Sequence, residues 1–164
     1  MSTYPKPIGT FTAEGFKTTA YERAEHGTCS MMADLDVDVD GIGNSYGDPY
    51  YQPDTTLHYN GRALNSDVDY FIVLPPPLIK AVAGKVLGCK AKVFYRGKSC
   101  DAVVGDVGPA RKVGEASRAV AKALGIDPSP INGGVDDASV RYEWEPGVAA
   151  VVDGRTYTLK SYGA

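Results

Sequence analysis

The sequence predicts a mainly β domain with one or two helices, and three observations carry that expectation. Glycine (19) and proline (11) are scattered through the 164 residues as turn punctuation rather than gathered in a linker. Several short runs alternate apolar and polar residues with period two, as half-buried strands do. Only one stretch, "EASRAVAKALGI", has sustained helical spacing. A chain of this length suits a single domain covering 1–164, with residues 1–20 as a peripheral N-terminal segment. There is no internal repeat and no low-complexity tract.

Taken in order, "SMMADLDVDV" reads as a strand with Ala33, Leu35, Val37 and Val39 on one face and the aspartates on the other. "DYFIVLPPP" is an apolar run ended by three prolines, a buried strand leaving its sheet. "GCKAKVFYRGKSCDAVVGD" forms a hairpin turning at Arg96-Gly97, with Lys90, Lys92 and Tyr95 at polar positions. In the helical stretch Ala116, Ala119, Val120, Ala123 and Leu124 share a face, and Gly125 ends it. "RYEWEPGVAAVVDGRTYTLKSY" holds up to three strands, the last two joined at Asp153-Gly154.

Composition excludes several classes of function. Hydrophobic content of 43% with 23% charged residues is that of a globular chain. A net charge of −3 leaves no global basic field, so no nucleic-acid partner is expected. No run approaches the roughly 20 apolar residues of a membrane span, so no membrane partner is expected. The first residues, "MSTYPKPIGTFTAEGF", lack the charged-then-apolar pattern of an export signal, and localisation stays open. Cys29, Cys89 and Cys100 allow at most one disulfide and match no zinc spacing. Buried or free thiols are the plain reading, and a monomer is expected.

The acid is concentrated. Residues 34–54 carry six aspartates and no lysine or arginine, which suits a cationic ligand or a metal. Numbering a calcium loop from Asp36 puts Asp38 and Asp40 at positions 3 and 5 and Gly41 at 6. Position 12 is then Gly47, where a bidentate glutamate is required. The intervening Leu35, Val37 and Val39 favour a pleated strand, so the segment reads as a strand with an acidic face. Neither a metal nor another cofactor is expected. A solvated face that discourages edge aggregation is the competing account, though such faces usually carry lysine or mixed signs.

A second acidic pair stands in "VVGDVGPARKVGEASRAVAKALGI", where Asp106 lies in a turn closed by Gly108-Pro109 and Glu115 opens the helix. Paired carboxyls facing one cleft are what glycoside hydrolysis needs, one to protonate the leaving oxygen and one to activate water or attack. Tyr46, Tyr50, Tyr51 and Tyr59, beside Asp48 and Asp54, offer aromatic faces on which sugar rings can lie, or simply cover the barrel. His26 and His58 are isolated and read as ordinary surface or loop residues.

Together, "ADLDVDVDG", "GDPYYQPDTTL", "DYFIVLP", "VFYRGKSCDAVVGDVGP" and "VGEASRAVAKALGI" resemble the family 75 glycoside hydrolases, the fungal-type chitosanases. The resemblance covers about residues 30–160. It implies cleavage of the β-1,4 links of chitosan with inversion, by an aspartate and a glutamate matching Asp106 and Glu115. The stretch also looks like the double-psi β-barrel proteins, whose N-D-R-G-P turn leads to D-L-S and a helix. That wider resemblance implies a six-stranded double-psi β-barrel with the substrate groove across one side.

Val39 stands where the family has a cysteine, which removes a disulfide partner, and Val107 stands where it has a threonine. Chitosan is a polycation in mild acid, so the resemblance gives the acidic strand a ligand. Asp34, Asp38, Asp40 and Asp48, with Tyr50 and Tyr51, are then the expected substrate-binding residues. Glu115 is the expected general acid, and the base is Asp106 or Asp36. Asp106 has an alternative role, fixing its turn by bonding backbone amides. A helix N-terminus would hold the pKa of Glu115 down, so burial or the nearby aspartates must raise it. A peptidoglycan-acting lytic enzyme and a non-catalytic, expansin-like binding barrel are the two competing functions.

Overall fold

The structure, a computed structural model, describes residues 5–13, 15–23 and 27–162. The readings made on His26 and on the first four residues lie outside them. In chain order the elements are β1 (Lys6–Ala13), β2 (Phe16–Glu22), β3 (Cys29–Asp38), β4 (His58–Tyr59), β5 (Arg62–Ala63), β6 (Phe71–Leu74) and α1 (Pro76–Lys80). There follow β7 (Cys89–Tyr95), β8 (Lys98–Val107), β9 (Glu115–Ser117), α2 (Arg118–Ala123), β10 (Val135–Ala149), β11 (Val151–Val152) and β12 (Arg155–Thr156).

The main sheet runs β1-β2-β3-β10-β7-β8-β6-β9, and β9 pairs back onto β3. That last pairing closes β3, β10, β7, β8, β6 and β9 into a six-stranded barrel and leaves the β1–β2 hairpin outside the ring. The β3–β9 and β6–β8 pairs are parallel, and the other barrel pairs are antiparallel. Exchanging β3, β6 and β7 for β8, β9 and β10 maps this set of pairings onto itself. The short helices follow the same rule, α1 after β6 and α2 after β9. A sequence without visible repeat therefore folds into two topologically equivalent halves, the crossed arrangement of a double-psi barrel. Pairing geometry preserves this equivalence although the side chains do not.

Alternation along β3 works as its sequence predicts. Met31, Ala33, Leu35 and Val37 are buried, and they meet Tyr142 and Trp144 of β10, Val93 of β7, Val104 of β8 and Ile72 of β6 in one core. Burying each large aliphatic or aromatic side chain is worth about 1.5–3 kcal/mol, and together they fill the barrel interior. The two predicted hairpin turns are of the primed kind, with Arg96 at φ 46°, Gly97 at 78°, Asp153 at 50° and Gly154 at 77°. The N-terminal hairpin is peripheral to the ring, yet Phe11 and Ala20 belong to the main core.

Two local expectations are corrected. The prolines after Leu74 do more than end a strand, since Pro76 and Pro77 open α1, where a missing N–H costs nothing. The second helix begins three residues later than its spacing suggests. Glu115, Ala116 and Ser117 form β9, and Ser117 caps α2 by accepting from the Val120 amide. Ala121, rather than Ala123, is then on its buried face. All three cysteines are free and buried, and burial pushes Cys29 up to about 12 and Cys100 up to about 11, so they behave as inert core thiols. No helix among the described residues is long and apolar enough to cross a membrane.

Candidate active site

Strand register assembles the site. Asp106 on β8 lies opposite Val73 on β6, Val73 lies opposite Glu115 on β9, and Glu115 lies opposite Asp36 on β3. Directly opposed residues share a face, so the three acids and the valine form one row across four strands. All four line a groove of about 800 Å³. At one interstrand spacing of about 4.8 Å per step, Asp106 and Glu115 stand roughly 9.5 Å apart along the row and Asp36 is the immediate neighbour of Glu115.

A bulge aims Asp106 into this row. Val104 opposes Ile72, but Asp106 opposes the next residue, Val73, so Gly105 is the extra residue on β8. Without it the alternation would turn Asp106 to the other face. Only glycine fits there, because a Cβ would lie 2.6 Å from Leu64 Cδ1 and 2.8 Å from Phe71 Cβ. The sequence reading of residues 105–109 as a turn is corrected accordingly: Asp106 and Val107 are the last residues of β8.

The two aspartates of the row live in different surroundings. Asp106 is 7% exposed, and its Oδ1 accepts three hydrogen bonds, from Thr56 N (2.9 Å), Thr56 Oγ1 (2.8 Å) and Val107 N (2.9 Å). Burial raises its pKa, and the hydrogen bonds oppose that rise. Asp36 keeps 47% of its side chain exposed, and its Oδ2 lies 3.4 Å from Lys112 Nζ.

Glu115 sits between them. It is the most enclosed acid facing Lys112, with 12% of its side chain exposed and Oε1 at 3.5 Å from Lys112 Nζ. Its Oε2 is buried without a hydrogen-bond partner among the described residues. Gly108 makes room for it, since a Cβ there would come within 2.7 Å of Oε2. Burial is the main reason its pKa is raised to about 7; Lys112 pulls it down, and Asp36 and Asp106 push it up. Because Glu115 lies in a strand rather than a first helical turn, the expected opposition from a helix N-terminus does not arise. Lys112 links the two acids, so Asp36 Oδ2 and Glu115 Oε1 are at most about 7 Å apart, a bound that reaches only the lower end of the about 6.5–9.5 Å that inverting hydrolysis needs.

The rest of the aspartate ladder divides along the groove. Asp38, 8% exposed, has its pKa raised to about 8 by burial and then by Asp40, and its Oδ1 accepts from Asp40 N at 2.8 Å. Asp40 accepts from Gln52 N at 2.8 Å. Asp34 borders an adjoining hollow shared with Asp36, Arg111 and Lys112, and burial followed by Asp36 raises its pKa to about 7. Carboxylate oxygens of Asp38, Asp40 and Asp106 lie within 4.8 Å of one another, near enough for a single cation to bridge them. The sequence shows the first two of these together but not Asp106, which comes from β8.

Of the four tyrosines, Tyr50 alone lines the groove, 83% exposed and held by an Asx turn in which Asp48 Oδ1 accepts its amide at 2.9 Å. Ile131, 59% exposed, also lines it. Tyr51 packs against the core and donates its hydroxyl to the Gly41 carbonyl. The Tyr46 ring lies 3.8 Å from the Arg118 guanidinium, and its hydroxyl donates to Asp67 at 2.6 Å, which staples the loop bearing Asp48 and Tyr50 to α2. Tyr59 meets Tyr157 in a tilted ring contact, with centroids 5.3 Å apart, and His58 pairs with Asp54 at 2.6 Å on the surface. Lys112, Thr56 and Ile131 went unnoticed in the sequence, since each is an unremarkable loop residue until the fold brings Lys112 and Ile131 to the groove and Thr56 to Asp106.

No family model matches this chain, and no curated protein matches it. Among solved structures it is similar to the Streptomyces papain inhibitor, at 16% identity over 71% of this chain and 94% of that one, with a TM-score of 0.42. The barrel assignment rests on the strand pairing of this chain itself.

Proposed function

We propose that the protein is an inverting glycoside hydrolase acting on chitosan or a related amino-sugar polymer. The observation that carries this reading is the adjacent pair of acids in the groove: Glu115, enclosed and raised to about 7, beside a half-exposed Asp36. Near neutral pH a raised glutamate keeps a proton to give, and an exposed aspartate has access to water.

In this mechanism the polymer crosses the row, with the scissile bond held between Glu115 and Asp36. Glu115 gives its proton to the glycosidic oxygen as the C–O bond breaks. Asp36 takes a proton from a water molecule as that water attacks the anomeric carbon from the opposite face. The sugar leaves with inverted configuration, Glu115 becomes a carboxylate and Asp36 a carboxylic acid, and solvent restores both. Asp106 serves as a positioning residue that anchors the Thr56 loop. Asp38, Asp40 and Asp48 face the ammonium groups of the polymer, and Tyr50 supplies a flat face for a sugar ring.

The test is the product. Purified protein on chitosan should release reducing ends, and proton NMR of the first product should show the α-anomer from a β-linked polymer. Release from peptidoglycan alone would favour the lytic enzyme, and binding without any release would favour a carbohydrate-binding barrel. Rising salt should weaken chitosan binding, because exposed carboxylate–ammonium attractions are screened within about 8–10 Å.

A further inference from the structure

The groove holds a cation of its own. Lys112, in the segment between β8 and β9, places Nζ 3.4 Å from Asp36 Oδ2 and 3.5 Å from Glu115 Oε1. Its side chain is 44% exposed, so neither packing nor a buried ion pair explains its position. Val113, the next residue, is buried, and the Gly114 carbonyl accepts from the Asp36 amide at 2.7 Å, so the backbone that carries Lys112 is fixed against β3.

We propose that Lys112 is a positioning residue, a resident ammonium that bridges Asp36 and Glu115 and sets both their separation and the pH at which Glu115 releases its proton. The role is additional to the assignment of acid and base and rests on that assignment for its catalytic consequence. The groups facing Glu115 are Asp34, Asp36 and Asp38 from β3, Asp106 from β8, the buried Tyr142 from β10 and Lys112 itself. Val73 of β6 is apolar. Among the described residues, Lys112 is thus the one positive charge set against these four acids. Burial works against its own charge, but Glu115 and then Asp36 raise its pKa overall, so it stays an ammonium through the working range. Removing that charge takes away the attraction that lowers the Glu115 pKa and leaves the repulsion of Asp36 and Asp106, which favours its protonated form.

Three variants test this in the whole chain: Lys112→Met, Lys112→Gln and Lys112→Arg. The first readout is the carbon-13 titration of the Glu115 carboxyl without substrate, its resonance assigned by its loss in Glu115→Gln. The midpoint should rise by about one pH unit in Lys112→Met. It should rise as far in Lys112→Gln, which keeps a donor and lacks the charge, and return towards the parent value in Lys112→Arg. The alkaline limb of kcat/KM on chitosan should move the same way in the same order. A midpoint unmoved or lowered in both neutral variants, with melting temperatures showing them folded, overturns the proposal. If the midpoint moves as expected but the parent protein leaves chitosan intact, the chitosanase reading fails and the bridging role of Lys112 stands.

Discussion

Asp106 and Asp36 occupy equivalent places in the two halves of the barrel. The exchange that maps β6 onto β9 and β8 onto β3 carries Val73 to Glu115 and Asp106 to Asp36, so the acidic row is symmetric about its middle. What differs is the connection each half provides. The long connection of the first half, residues 39–70, brings Thr56 over Asp106 and occupies Oδ1 with three donors. The short connection of the second half, residues 108–114, brings Lys112 to Asp36 and Glu115. One scaffold position has become a structural acceptor, and its counterpart has stayed open to water. The lesson is that the barrel supplies register, and the loops decide which carboxylate can react.

The largest effects should come from breaking the open half. Glu115→Gln should lower kcat on chitosan by about 10²–10⁴-fold while leaving polymer binding measurable by calorimetry, because the shape remains and the proton does not. Asp36→Asn should fall in the same range. Asp106→Asn, whose amide oxygen can still accept from Thr56 and Val107, should stay within about tenfold of the parent, well short of the loss expected for a base. A large loss in Asp106→Asn with an active Asp36→Asn would exchange the two roles.

Stability should follow the opposite order. Asp106→Ala leaves the amides of Thr56 and Val107 without their acceptor and should cost about 2–4 kcal/mol in urea unfolding. Asp36→Ala, at a half-exposed position, should stay within about 0.5 kcal/mol. Equal costs at the two sites would mean that the hydrogen bonds at Asp106 do not hold the first-half loop.

Much of this arrangement was legible, and the parts that were not share one cause. The buried face of β3 and the turns at Arg96-Gly97 and Asp153-Gly154 follow from local alternation and from positive-φ chemistry, which neighbouring residues suffice to reveal. Glu115 is legible as a partner for Asp106 from the turn between them, weakly, and more firmly through resemblance. Its strand state and its place beside Asp36 depend on a parallel pairing between residues far apart in the chain. The bulge at Gly105 is invisible for the same reason, since Leu64 and Phe71 make glycine necessary there. Tyr50 and Tyr51 are adjacent and alike in sequence, and only the Gly41 carbonyl that receives the Tyr51 hydroxyl separates them.

The groove as a whole should make the protein more stable in mild acid. Burial first of all raises Asp38 to about 8, and Asp34 and Glu115 each to about 7. Such groups favour folding when protonated. Their contribution is complete below the unfolded carboxyl pKa of about 4 and is lost as pH rises through 7 to 8. Between pH 5 and 8.5 the melting temperature should therefore fall by several degrees, as calorimetry would show. A rise over that interval would mean that these acids are solvated and that the groove is wider than the structure has it.

The smallest effect expected is that of metal removal, and it tests the closed half most directly. Asp38, Asp40 and Asp106 could embrace a cation by distance alone. Yet one oxygen of each already accepts protein hydrogen bonds, Asp38 from Asp40, Asp40 from Gln52 and Asp106 from Thr56 and Val107. Burial, followed by the charge of Asp40, raises Asp38 to about 8, so below that pH the trio lacks the full negative charge a divalent ion would need. Three such ligands also fall short of the six to eight oxygens that calcium takes. A glucosamine ammonium asks less, since a single charge with three donors can share the free oxygens of the trio. Dialysis against a chelator should accordingly leave turnover and melting temperature unchanged, and added calcium should not protect. A melting temperature that falls on dialysis and returns with calcium would make the trio a metal site, and Asp106 would then be a ligand rather than the anchor of the Thr56 loop.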